Sequence, residues 1–164
     1  MSTQARVVAC LWYDGCAEEA ARFYVDSFDD SRITDIHHAT TDWPAGKAGD
    51  VLTVGFTIAD NAFLALNGGP GVAFTDAISF QLMTEDQAQT DRYWDAIIQG
   101  GGTEIACSWC RDRWGVRWQI VPRALINGLA DPDPAAAARV MQAMMGMVKI
   151  DIAAIEAARR GDAV

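Results

Sequence analysis

A pattern that occurs twice constrains this chain most. Residues 18–28, EEAARFYVDSF, read as an amphipathic helix that follows an apolar strand and precedes strands ending near Asn67. Residues 87–98, QAQTDRYWDAII, repeat the arrangement, with a strand before and strands after that end at Pro122. Each helix carries an adjacent aromatic pair, Phe23-Tyr24 and Tyr93-Trp94. A helix with one apolar stripe buries it against another layer, here a sheet. The expectation is an α+β chain of two helix-on-sheet modules, and such a duplication can form a cleft between its halves.

The local signals fill in the modules. Residues 6–13 are apolar enough for a buried strand, and Asp14-Gly15 turns the chain into the first helix. Ala17, Ala20, Ala21, Tyr24, Val25 and Phe28 make its apolar stripe. Strands are expected over residues 32–39, 51–58 and 62–66, with Asp60-Asn61 as the tight turn between the last two. The second module is expected to open with a strand over residues 77–83, with Thr84 capping its helix. Gly100, Gly101 and Gly102 end that helix, and strands follow over residues 103–106 and 115–121. Beyond Pro122 the pattern turns helical and lies outside the repeat. Asp131-Pro132-Asp133-Pro134 starts a helix with Pro134 in its first turn. Val140, Met141, Met144, Met145, Met147 and Val148 make this tail strongly apolar, either as packing against the sheet or as a dimer contact. The chain is therefore expected to be one domain, with modules at about 5–67 and 76–122 and a helical extension over 123–164.

Charge removes some classes of function. A net charge of -9, with 13 lysines and arginines, argues against a nucleic-acid partner, which needs clustered positive charge. Anionic ligands require local arginines that outweigh this field. No apolar run approaches the ~20 residues of a membrane helix, and the N-terminus lacks a secretory pattern. A cytoplasmic protein with no membrane partner is expected. Cys10, Cys16, Cys107 and Cys110 are then read as reduced thiols, although four cysteines also permit disulfides.

The chemistry-bearing residues are few. His37 and His38 are the only histidines, and neighbours on a strand point to opposite faces, so they do not chelate one ion together. The C-S-W-C run from Cys107 to Cys110 has half-site spacing for zinc or redox chemistry. It lacks both a second pair of good ligands and the strand-to-helix context. Asn67-Gly68-Gly69-Pro70-Gly71 has no following Lys-Ser or Lys-Thr, and no GxGxxG follows a strand. Neither a phosphate loop nor a Rossmann cofactor site is indicated. The better candidate is the cluster of Trp109, Trp114 and Trp118 around Arg111, Asp112, Arg113, Arg117 and Gln119. Gln119 in an apolar strand needs a partner, either a ligand or a neighbouring strand. Asp112 either holds the turn before Gly115 or pairs with an arginine. Cys10 shares a strand face with Trp12, opposite Leu11.

The runs LWYDGCAEEAARFYVDSF, FLALNGGP, AISFQL, DRYWDAI and DRWGVRWQIVPRAL closely resemble the PhnB-like proteins, also called 3-demethylubiquinone-9 3-methyltransferase domain proteins. The run DPDPAAAARVMQAMMGMVKIDIAAIEAA extends the resemblance over essentially the whole chain. These belong to the vicinal oxygen chelate superfamily, with glyoxalase I and the bleomycin-resistance proteins. The resemblance implies paired βαβββ modules of the glyoxalase/bleomycin-resistance type and a homodimer with sites in curved sheets. Metal-dependent members place ligands on inward-facing strand positions. By the resemblance these fall near Val8 or Cys10, within residues 62–66, near Ala77 and on Gln119. Only Gln119 matches in chemical type, so no metal site and no cofactor are expected.

Two classes of function follow. One is a protein that binds a small hydrophobic or aromatic molecule in a pocket lined by Cys10, Trp12, Phe56 and Gln119. The other is an enzyme of the superfamily, a lyase, isomerase or dioxygenase. A dimeric scaffold without a small ligand is the third option. The methyltransferase in the family's name does not fit a fold of this type.

Overall fold

A computed structural model of the chain describes residues 7–162. Residues 5 and 6 of the expected first module, and the last two of the extension, lie outside the described residues. The chain divides into two compact units, Met1–Ala73 and Phe74–Val164. The boundary falls just after the Asn67-Gly68-Gly69-Pro70-Gly71 run.

The first unit holds β1 (Ala9–Tyr13), α1 (Ala17–Ser27), β2 (Arg32–His38), β3 (Val51–Ile58) and β4 (Asn61–Asn67). Its sheet has the order β1-β4-β3-β2, with β1 parallel to β4 and the other neighbours antiparallel. A crossover helix is what allows β1 and β4 to run parallel. Helix α1 buries Ala17, Ala20, Ala21 and Tyr24, as the stripe predicts, while Val25 is only half-buried. Its small alanines let the helix sit close to β3 and β4. Tyr24 stacks on Phe56, which stacks on Phe63, and its hydroxyl meets that of Tyr13 at 3.0 Å. A buried phenol needs such a partner. The β3–β4 turn consists of Ala59 and Asp60, both at positive φ, one residue earlier than expected. Asn61 instead opens β4 and folds its amide back onto the carbonyl of Ala59.

The second unit repeats the plan with β5 (Phe80–Thr84), α2 (Gln87–Gln99), β6 (Thr103–Glu104), β7 (Trp109–Arg111) and β8 (Arg117–Pro122). Its order, β5-β8-β7-β6, is the first sheet's order again, and β5 is parallel to β8. Helix α2 buries Thr90, Tyr93, Trp94 and Ile97. Three local expectations change. Strand β5 starts at Phe80, because the N–H of Ala77 folds back onto the Thr75 hydroxyl. The helix is capped by Asp86, whose carboxylate accepts the Gln89 N–H, while the Thr84 hydroxyl pairs with Thr90 in the interior. Residues 103–114 hold two short strands, not one, because Cys107 and Ser108 both reverse the backbone at positive φ.

Three further helices complete the second unit: α3 (Arg123–Leu129), α4 (Pro134–Met145) and α5 (Ile152–Arg160). Pro134 takes the first turn of α4 behind the Asp133 cap, and Asp151 caps α5. The Arg139 guanidinium satisfies the last carbonyls of α5, donating to Ala158 and Arg159. Val121, Leu125, Val140, Ile150 and Ile155 form one core, with Met144 and Met147 against it. Of the apolar tail, these side chains pack inward, whereas Met141, Met145 and Val148 are exposed. The N–H groups of Cys107 and Ser108 donate to Met147 and Val148, which ties the returning helices to the sheet.

Candidate functional site

Each sheet has one face against its helix and one face turned away, and side-chain alternation decides which residues belong to which. In the first unit Leu11, Tyr13, Val54, Phe56, Phe63 and Ala65 are buried on the helix side. Their neighbours Cys10, Trp12, Thr53, Gly55, Leu64 and Leu66 therefore make the open face. The register places Cys10 beside Leu64 and Trp12 beside Leu66, so the expected pair does share a surface. Phe56 does not join it. It is 1% exposed and held between Tyr24 and Phe63, so it is a core residue of the helix side and not a lining residue.

Trp12 is fixed on this face. Its indole N–H donates to the Gly69 carbonyl at 2.8 Å, and its ring lies over Gly68, where a Cβ would come within 2.2 Å of it. The glycine run thus serves close packing under an indole. Trp43 makes a second such contact, its N–H reaching the Asn67 carbonyl at 3.3 Å. Cys10 is exposed, and partial burial raises its thiol above the ordinary value, which disfavours a thiolate at neutral pH. The Thr57 hydroxyl, on the same side of β3 as Thr53 and Gly55, is buried without a hydrogen-bond partner. Leu64 and Leu66, which carry no polar signal in the sequence, supply the apolar area beside Cys10 and Trp12.

In the second unit Leu82, Cys110, Trp118 and Ile120 face the helix side. The open face takes Gln81 and Met83 from β5, Trp109 and Arg111 from β7, and Arg117 and Gln119 from β8. Gln119 lies across from Trp109 on one side and Gln81 on the other. Both ends of its amide are engaged: the oxygen accepts from Gln81 Nε2 at 3.0 Å, and the nitrogen donates to Ser79 Oγ at 2.7 Å. Asp112 holds the turn. One carboxylate oxygen accepts from the N–H groups of Trp114 and Val116, and the other accepts from the Trp118 indole at 2.9 Å.

The remaining sequence candidates stand apart. His38 bonds the Gly49 carbonyl and His37 meets Asp35, both exposed. Cys107 sits in the backbone reversal, whereas Cys110 points into the helix side, where burial pushes its thiol up to about 12. The positions at which the resemblance implies metal ligands hold few side-chain donors. Ala77 precedes β5, β4 brings Ala62, Leu64 and Leu66 to the open face, Cys10 favours the neutral thiol, and the Gln119 amide is already shared. Among the described residues no group of three His, Cys, Asp or Glu side chains is placed to hold a metal ion.

Two βαβββ modules with the same strand order, each with one open sheet face, define an α+β protein of paired modules with a C-terminal helical extension. Residues 5–121 match the 3-demethylubiquinone-9 3-methyltransferase family, and the chain belongs to that family. Among solved structures it is similar to a protein from Bacillus cereus described as a putative 3-demethylubiquinone-9 3-methyltransferase, PhnB protein. The identity is 28%, the TM-score 0.64, and the match covers 72% of this chain and 99% of that one. It is also similar to PA1353 from Pseudomonas aeruginosa, at 18% identity and a TM-score of 0.54, over 73% of this chain and 98% of that one. No curated protein matches the chain.

Proposed function

We propose that this protein binds a small aromatic or amphiphilic molecule on its open sheet faces without a divalent metal. The donor set carries the reading. Where the family resemblance implies metal ligands, the chain offers a thiol held neutral, leucines, a residue ahead of its strand and an amide already bonded at both ends. What these faces do offer suits flat apolar ligands: an indole anchored through its N–H, two leucines, a second indole and amides.

Methyl transfer, which the family name carries, finds no support in the strand-to-helix turns. Strand β1 passes into α1 through Asp14, Gly15 and Cys16, and β5 passes into α2 through Glu85 and Asp86. Neither turn is glycine-rich, and each carries carboxylates where a cofactor anion would sit. The reading includes a cytoplasmic homodimer, with exposed Met141, Met145 and Val148 as apolar surface for a second copy.

The test is a ligand-detected NMR screen of aromatic compounds against the chelator-treated protein. Binding is expected to persist in EDTA and to weaken about tenfold in Trp12→Ala, the loss of one buried aromatic contact. Binding or turnover that appears only when a divalent ion is restored overturns the reading.

A further inference from the structure

Most guanidiniums of this acidic chain meet a carboxylate: Arg22 with Glu18, Arg32 with Asp60, Arg117 with Asp76, Arg123 with Glu85, Arg159 with Asp131 and Arg160 with Asp162. Arg111 does not. Among the described residues it forms no ion pair, and its one hydrogen bond goes to the Thr103 hydroxyl at 3.3 Å. With 22 acidic residues against 13 basic ones, an exposed arginine without an acid partner runs against the composition.

Its placement makes this more pointed. Arg111 and Arg117 are directly opposed across the antiparallel β7–β8 pair and share the open face. Directly opposed like charges, with Cβ atoms ~4.5–5.5 Å apart, destabilise a sheet. Asp76 and the Gly115 carbonyl take up the Arg117 guanidinium, which leaves Arg111 as the net positive charge of the row. The next row on the same face brings Trp109 opposite Gln119, with Gln81 beyond it. Gln119 Nε2 uses one N–H on Ser79 and carries a second. A charged planar fork, an amide and an indole thus share one open sheet face.

We infer that the open face of the second sheet is a site for an aromatic carboxylate, with Arg111 as its anion-binding residue. A guanidinium binds a carboxylate through two parallel N–H groups, and the Trp109 ring, two residues along β7, offers the flat surface for the aromatic part. The local charge answers the global field of -9, which by itself repels such a ligand. This inference rests on the binding reading above and names its ligand class.

The probes are 2-naphthoate and its neutral isostere 2-naphthamide, titrated calorimetrically into the protein with EDTA. Naphthoate is expected to bind about tenfold tighter than the amide at about 20 mM salt, with the gap narrowing at about 500 mM. Arg111→Gln is expected to erase the preference and leave naphthamide binding in place. Arg113→Gln removes the same charge from the neighbouring turn, where the guanidinium lies over the Trp114 ring, and is expected to keep the preference. Equal affinity for the two probes, or equal losses in the two variants, overturns the inference and leaves the binding reading standing. Binding of neither probe overturns the inference alone, since the binding reading is decided by the wider screen and Trp12→Ala.

Discussion

Gln81 donates its amide N–H to the amide oxygen of Gln119 at 3.0 Å, across a parallel strand pair in which the two residues are in register. The contact turns a side chain that the family resemblance would make a metal ligand into one half of a neutral amide pair. Gln119→Glu tests how far that substitution of roles goes. The carboxylate can still accept from Gln81 and from the Ser79 hydroxyl, so stability is expected to change by no more than about 1 kcal/mol. Zinc or nickel affinity is expected to stay outside the micromolar range, because one carboxylate does not replace three missing ligands. Calorimetric titration of the variant with each ion checks this.

Gly68 is the floor under Trp12. A Cβ there would lie 2.2 Å from the indole, so Gly68→Ala must displace the ring and break its bond to the Gly69 carbonyl. The expected cost is about 1–3 kcal/mol, the range for overpacking. Thermal melts should show the loss. Ligands that use the first sheet's open face should weaken in the same variant.

Asp112 carries the turn between β7 and β8. Its buried carboxylate accepts from two backbone N–H groups and from the Trp118 indole, itself fully buried. Asp112→Ala leaves these donors unpaired at roughly 1–3 kcal/mol each when buried, so a loss of about 3 kcal/mol or more is expected. Urea denaturation measures it. A change under about 1 kcal/mol would mean that water replaces the carboxylate.

Cys110 is the least reactive thiol expected in the chain. Burial, with Asp112 and Glu104 nearby, pushes it from 9.0 up to about 12. Because only the thiolate reacts, iodoacetamide at about pH 8 should leave Cys110 unlabelled in the folded protein, read by peptide mass spectrometry. The sign for stability follows from the raised value. Above the ordinary thiol range the unfolded chain releases this proton and the folded chain holds it, so folding weakens as pH rises from about 9 towards 12. Labelling of Cys110 as fast as exposed Cys10 would contradict the burial argument.

Much of the fold was legible because it repeats. Two amphipathic helices with alanine or aromatic stripes, each flanked by alternating strands, left few ways to bury both faces. Residues 51–58 came out as one strand with the expected alternation, and Val54, Phe56 and Ile58 are its buried side. The misses have local causes. Thr84 looks like a cap from its position before Glu85, yet its hydroxyl is spent on Thr90 and Asp86 takes the cap. The Cys107-Ser108 reversal is invisible because neither residue type announces positive φ. That Cys10 and Trp12 share one sheet face follows from alternation alone. Phe56 alternates with Val54 and Ile58 onto the buried side of β3, which sets it apart from the open face. The Gln119 partners were not legible, because Ser79 and Gln81 meet it only through the β5–β8 register.

The central claim is that these sheet faces work without a divalent ion. The measurement that meets it most directly is elemental analysis of the purified protein, followed by calorimetric titration of the chelator-treated sample with zinc, nickel, iron and manganese. The account predicts far less than one equivalent of metal and no binding at micromolar concentration. One tightly held equivalent of any of these ions would contradict it and favour the metal-dependent chemistry that the sequence resemblance implies.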